Sequence, residues 1–305
     1  MSPTLHRRSL LAGAATLPAA ALAQPGAAPL RQRLAGLRLG ANVERWFAIA
    51  ANNQSRRLGP AWWRGFKAAG FDHVRFIIPP VRPTGGGHAV LDAFLTATND
   101  AAGAGLPVLL ALADTFYHSN PWQDDDWQAL EDRARFFARQ ADPAMVALAP
   151  LNEPAFPDTA TWLPMRDRLL GLVRRAAPRH VLLWGGREWC SPRSLVEAPP
   201  PADPNCVAEA HDYGGGGAQD VEERFRPLAT WRERHGQPVL ATELGGARGH
   251  EEDLPRWSED LRASLPVLRR LRLPACLWSY THGGHWRLQE GGGPALRPPL
   301  RAALD

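Results

Sequence analysis

Apolar residues along this chain gather into eight short runs: "LRLGANVERW", "HVRFIIP", "PVLLALAD", "MVALAPLNEP", "HVLLWGGREW", "CVAEAHDY", "PVLATELGG" and "ACLWSYTHGG". Between them lie segments with helical periodicity, such as "AWWRGFKAAG", "AVLDAFLTATNDAAGAG", "DDWQALEDRARFFARQ", "WLPMRDRLLGLVRRA", "VEERFRPLATWRERHG" and "DLPRWSEDLRASLPVLRRLR". The runs recur about every 34 residues, and strand, loop and helix repeated eight times at that period predict an α/β fold, a single-domain (β/α)8 barrel. The fifth gap is the shortest, so its helix should be only a stub. An open doubly wound sheet is the alternative. The glycine clusters at Gly85–Gly87, Gly214–Gly217 and Gly291–Gly293 lack the G-x-G-x-x-G spacing of such a fold, and read as flexible loops with no helix starting directly behind them. "PPPADP", Pro199 to Pro204, is a stiff loop before the sixth strand rather than a domain linker.

Composition changes this picture mainly at the N-terminus. Arg7 and Arg8 precede the small, apolar stretch "SLLAGAATLPAAALAQ", and Ala21-Leu22-Ala23 has the pattern of a cleavage site, so residues 1–23 read as an export signal. The paired arginines resemble a twin-arginine signal, which implies export in the folded state. The run is too short, and too interrupted by Gly13 and Pro18, for a membrane anchor. The expectation is a periplasmic or secreted monomer whose catalytic domain spans 24–305. The formal charge of +4 comes without any dense basic block, which argues against nucleic acid. Three cysteines, Cys190, Cys206 and Cys276, have no metal-type spacing. A Cys190–Cys206 bridge and buried free thiols both fit.

Twelve tryptophans exceed what a core of this size needs, so some should face a ligand. Trp162, Trp231 and Trp257 lie in helical segments and should pack on the barrel, as should at least one of Trp62 and Trp63. Trp46, Trp122, Trp189 and Trp286 lie in strand-end loops, where contact with a ligand is an even alternative to packing. Asp124 to Asp126 read as acids at a helix start. His282 and His285 flank glycines after the last strand with no third ligand, so neither a metal nor a cofactor is expected.

Catalytic groups in such a barrel come from the C-terminal ends of the strands, and those ends are unusually polar here. They carry Asn42, Glu44, Arg75, Asp114, Asn152, Glu153, Glu188, His211, Tyr213, Glu243 and Trp278. In "APLNEP", Pro154 cannot continue a strand ladder, so Asn152 and Glu153 sit where the chain leaves the core. Either glutamate alone reads more readily as a salt-bridged strand end. Glu153 and Glu243, ending strands four and seven across the barrel mouth, can aim two carboxylates at one bond.

In their order, "LNEP", "HDY", "TELGG" and "LWSYTHGG", with "GANVERWF" and "HVRFIIP" near the start, resemble glycoside hydrolase family 5, the cellulase and mannanase group of (β/α)8 enzymes. The resemblance implies a retaining hydrolase of β-1,4-linked glucan, with polysaccharide or oligosaccharide as its partner and no cofactor. A β-mannanase, an exo-acting β-glycosidase and a non-catalytic carbohydrate-binding barrel are the alternatives. It further implies Glu153 as general acid/base, Glu243 as nucleophile, and Asn152 on the sugar 2-hydroxyl. Arg75 and Tyr213 would hold Glu243 ionised, His211 would support Glu153, and Trp278 would floor the subsite. A cation beside Glu243 should lower its pKa. Strand three departs from the family: Ala111 and Ala113 stand where it usually has an acid and an imidazole, and Asp114 or His118 is expected to replace the lost sugar contact. Trp46 and Trp286 complete the expected binding residues.

Overall fold

The computed structural model describes residues 29–44, 58–79, 87–114, 122–281, 286–291 and 293–304. The expected export signal, Trp46, His118, His282 and His285 lie outside them. A short helix, α1 (Leu30–Ala35), leads into eight strands: β1 (Leu39–Val43), β2 (His73–Ile77), β3 (Val108–Ala111), β4 (Val146–Ala149), β5 (Val181–Gly185), β6 (Cys206–Asp212), β7 (Val239–Leu244) and β8 (Ala275–Thr281). They pair in parallel in chain order, and β8 closes on β1 to complete a barrel. A helix follows each strand: α2 (Pro60–Ala68), α3 (Gly87–Gly103), α4 (Asp124–Gln140), α5 (Thr159–Ala176), α6 (Pro192–Val196), α7 (Ala218–His235), α8 (Leu254–Leu271) and α9 (Pro298–Leu304). The fifth helix of the outer ring, α6, is the stub the short gap predicts. Two glycine clusters differ from expectation, because α3 begins at Gly87 and Gly217 caps α7.

Alternation along the strands divides the apolar side chains into two layers. Leu109 and Ala111, Ala147 and Ala149, Val181 and Leu183, Val207 and Leu240 fill the barrel, with Leu30 and Leu34 of α1 packed into the same cluster. Arg31 anchors that helix by donating to the carbonyls of Cys206 (3.2 Å) and Gly236 (3.1 Å). The other faces of the strands pack on the helices, where Trp63, Trp162, Trp231 and Trp257 are buried as expected. At the start of α4, Asp126 accepts from the backbone N–H of Gln123 at 2.9 Å, a helix-capping use of the acidic cluster. Cys190, Cys206 and Cys276 are buried free thiols, so the Cys190–Cys206 bridge does not form. No helix among the described residues is long and apolar enough to cross a membrane.

One irregularity matters for the site. Against β6, the register of β7 pairs Ala210 with Ala241 but His211 with Glu243. Thr242 is the extra residue of a β-bulge, which lets consecutive side chains reach the same network.

Candidate active site

The polar groups concentrate where β2, β4, β6 and β7 open. Beyond β4 the chain is pinned by backbone bonds: Asn152 N–H donates to Ala113 O (2.8 Å), Trp189 N–H to Pro154 O (2.8 Å), and Phe156 N–H to Arg187 O (2.9 Å). Within that frame Glu153 has φ of 44°, a left-handed conformation that costs a non-glycine residue of order 1 kcal/mol and concentrates at functional sites.

Arg75 is fully buried at the centre. Its Nη1 donates to Glu243 Oε1 at 2.6 Å and to Asn42 Oδ1 at 3.0 Å, and its Nη2 donates to Asn152 Oδ1 at 2.7 Å. Tyr213 donates from its hydroxyl to the other oxygen of Glu243, at 2.6 Å. Glu243 is thereby held at both oxygens. Glu153 faces His211 instead, with Oε1 2.9 Å from Nδ1. The Glu153 side chain is 21% exposed against 4% for Glu243, so the first is open to solvent and the second lies deeper. One oxygen of each carboxylate and His211 Nδ1 or Nε2 all fall within 4.8 Å of one another. That spacing would also suit a cation, but both Glu243 oxygens already accept from Arg75 and Tyr213.

Glycine permits this packing after β7. A methyl on Gly245 would meet the Tyr213 ring at 2.4 Å, so the first glycine of "TELGG" is the space into which Tyr213 swings to reach Glu243. Trp286 closes the same corner, with its ring 5.6 Å from those of Tyr213 and Trp257.

The electrostatics differ from the expectation drawn from the cation alone. Burial pushes the Glu243 carboxyl above its ordinary range; His211, Arg75 and the Tyr213 hydroxyl pull it down without prevailing, and Glu153 adds to the rise. Removal from water opposes ionisation here more than one guanidinium favours it. His211 is lowered by burial, which keeps the imidazole neutral, and Tyr213 is pushed well above the ordinary phenol range.

The structure therefore brings together Arg75, Asn152, Glu153, His211, Tyr213 and Glu243. Asp114 joins them through Asn152, whose Nδ2 donates to its Oδ1 at 2.9 Å. Ala111 and Ala113 are buried, and Asp114 supplies the acidic group at this strand end. Trp278 lies within β8, half-buried, with a cis peptide to Ser279. Glu188 is exposed in the loop after β5, where its backbone pairs with Ala155 beyond Glu153. Trp122 packs against Trp127, its ring 4.6 Å away, whereas Trp189 stays 50% exposed next to the Glu153 loop. Two residues escaped the sequence reading, Glu209 and Thr242. The signal for Glu209 was alternation, since it lies two positions before His211 on the inward face of β6. Thr242 carried none, because only the bulge turns it inward.

The cellulase family model, glycosyl hydrolase family 5, matches residues 45–284. Among solved structures, endoglucanase Cel5A from the hyperthermophilic Thermotoga maritima superposes with a TM-score of 0.75 at 18% identity, over 91% of this chain and 100% of that one. The same Thermotoga protein in complex with mannotriose gives a TM-score of 0.74 at 16% identity, over 91% and 100%. The Clostridial cellulose synthase subunit Z from Clostridioides difficile gives 0.71 at 14% identity, over 88% and 99%. At such identities these likenesses establish the shared barrel. No curated protein sequence matches.

Proposed function

The chain belongs to glycosyl hydrolase family 5, and from that premise we propose that it cleaves β-1,4-linked glucan with retention of configuration, using Glu243 as nucleophile and Glu153 as acid/base. The observation that carries this reading is the carboxylate pair: oxygens within 4.8 Å, below the spacing that leaves room for an attacking water and close to that of a double displacement. Their surroundings differ in the sense such a mechanism requires. Glu243 receives a guanidinium and a phenol hydroxyl, as an attacking carboxylate needs. Glu153 lies against a neutral imidazole and is open to solvent, as a group that must give and retake a proton needs.

In the first step a Glu243 oxygen bonds to the anomeric carbon while the bond to the leaving oxygen breaks, and that oxygen takes the proton of Glu153. In the second, Glu153 removes a proton from water, the water oxygen bonds to the anomeric carbon, and the bond to Glu243 breaks. Arg75 holds Asn152 and Glu243 together, so the proposed 2-hydroxyl contact and the nucleophile are aimed as one unit. Trp278, Trp286 and the exposed Trp189 offer aromatic faces suited to the apolar side of a pyranose. The export-signal pattern at residues 1–23 supports the further proposal that the enzyme acts outside the cytoplasm.

Reducing-sugar release should appear on β-1,4-glucan, with mixed-linkage glucan, mannan and xylan run alongside; the mannotriose complex of the Thermotoga protein is reason to keep mannan among them. Proton NMR of the first product should show the β-anomer ahead of mutarotation. An α-anomer first would overturn retention, and saturable binding with no turnover on any polymer would overturn the enzyme.

The pH profile carries a second expectation. Attack requires ionised Glu243, and burial raises that carboxyl, so the acid limb of kcat/KM should lie above the ordinary carboxylate range. Tyr213→Phe removes a donor that favours the ionised form, so the limb should move to still higher pH. An unmoved limb with a uniformly lower rate would assign Tyr213 to packing alone.

A further inference from the structure

Behind His211 the hydrogen bonds continue to a buried acid with no part in the mechanism above. His211 Nε2 lies 3.0 Å from Thr242 Oγ1, and the Thr242 hydroxyl donates to Glu209 Oε2 at 2.8 Å. Glu209 is fully buried; its Oε1 has no hydrogen-bond partner among the described residues, and its Oε2 lies 3.7 Å from Arg75 Nη2. The chain Glu209, Thr242, His211, Glu153 is continuous, and it ends at the group assigned here as acid/base.

We propose that Glu209 and Thr242 are positioning residues that set the tautomer of His211 and thereby hold the resting proton on Glu153, an inference that rests on the acid/base reading of Glu153. Its logic is a proton count along the chain. The single hydroxyl proton of Thr242 is donated to Glu209 Oε2, on the side of Glu209 that faces Arg75. Thr242 Oγ1 can then only accept from His211, which puts the imidazole proton on Nε2. In a neutral imidazole Nδ1 is then a bare acceptor. The 2.9 Å contact from Nδ1 to Glu153 Oε1 is a hydrogen bond only if Glu153 carries the proton. Burial supports the neutral ring.

Charge balance points the same way. Arg75 is the cation that the buried Glu209 and Glu243 share, and a third carboxylate at Glu153 would set an excess of negative charge against that buried pair. Glu243 accepts at both oxygens from Arg75 and Tyr213, and Glu209 accepts from Thr242, so the Nδ1 contact is what assigns the proton to Glu153. Around His211 the other titratable groups are Glu243, with Oε2 at 3.7 Å from Nδ1, and Arg75. The buried Cys190 thiol, whose backbone carbonyl accepts from His211 N–H at 2.8 Å, is pushed well above its ordinary range and stays neutral, as does Tyr213. After protonating the leaving group, the Glu153 carboxylate faces the Nδ1 lone pair. That repulsion makes it a stronger base for the water of the second step.

The test uses the full chain labelled with 15N-histidine, the His211 signal being assigned by its loss in His211→Asn. The wild type should show a neutral ring protonated at Nε2. Thr242→Val keeps the volume but removes the acceptor, so the proton should move to Nδ1 and donate to an ionised Glu153. The basic limb of kcat/KM on β-1,4-glucan should then fall by about one pH unit. Thr242→Ser should restore both the tautomer and the limb. A wild-type ring protonated at Nδ1, or on both nitrogens at neutral pH, overturns the proposal whether or not the protein turns over any polymer. So does a Thr242→Val enzyme that is slower with its basic limb in place. Loss of turnover on every polymer together with an Nε2-protonated ring would strike the acid/base reading instead, because the tautomer is read without substrate.

Discussion

Replacing Glu243 with glutamine is expected to lower kcat on β-1,4-glucan by roughly 10⁴–10⁶-fold, as loss of a covalent nucleophile does. Gln keeps the shape of the side chain and one acceptor for Arg75, so the loss is one of chemistry. The second amide position presents a donor to Tyr213, whose hydroxyl can turn to accept. Arg75 keeps Asn42, Asn152 and the carboxylate of Glu209 around it, so the guanidinium is not stranded. Thermal unfolding of Glu243→Gln should therefore stay close to that of the wild type, and oligosaccharide binding should persist. Turnover that survives within tenfold of the wild type would remove Glu243 from the bond-forming step and move the chemistry elsewhere in the barrel mouth.

The second large effect separates the two glutamates by leaving group. Glu153→Ala should lower kcat on polysaccharide by about 10²–10⁴-fold, because an alkoxide must then depart without a proton. On a dinitrophenyl glycoside the leaving group needs no proton, so the first step should run nearly unimpaired and the glycosyl-enzyme should accumulate as a burst. Sodium azide, small enough for the space left by the carboxylate, should then speed release and give a β-glycosyl azide. Equal losses on both substrates, with no burst and no azide product, would show that Glu153 supports binding rather than proton transfer. Glu243→Gln should show no burst with either substrate, so the pair of variants assigns both roles in one experiment.

Much of this was written in the chain. Eight apolar runs at an even period dictate the barrel, because a run buried on both faces needs a helix on one side and a closed interior on the other. The shortest gap dictated the stub α6. β4 ends at Ala149, directly before Pro150, so Pro150 rather than Pro154 stands at the strand's end, and Asn152 and Glu153 emerge in the loop beyond it. Alternation put Glu209 and His211 on one face of β6, with Tyr213 just beyond the strand's end, although a lone acid inside a strand carries no sign of its partner. The glycine clusters were misread for a related reason. Gly217 is a loop residue by composition but a helix cap by position, and position depends on where the next amphipathic face begins.

What the tertiary structure alone decided are quantities that depend on distance between strands. No local pattern reveals that one guanidinium must serve both Glu243 and Glu209, or that burial outweighs it at Glu243, since desolvation is set by everything packed around a group. Nor does the sequence show the β7 bulge, which arises from the mismatch of registers between neighbouring strands and carries Thr242 to His211. The residues at the strand ends were fixed by sequence; the direction in which their protons run is a property of the closed barrel, because hydrogen-bond order follows from which donors and acceptors the strands bring face to face.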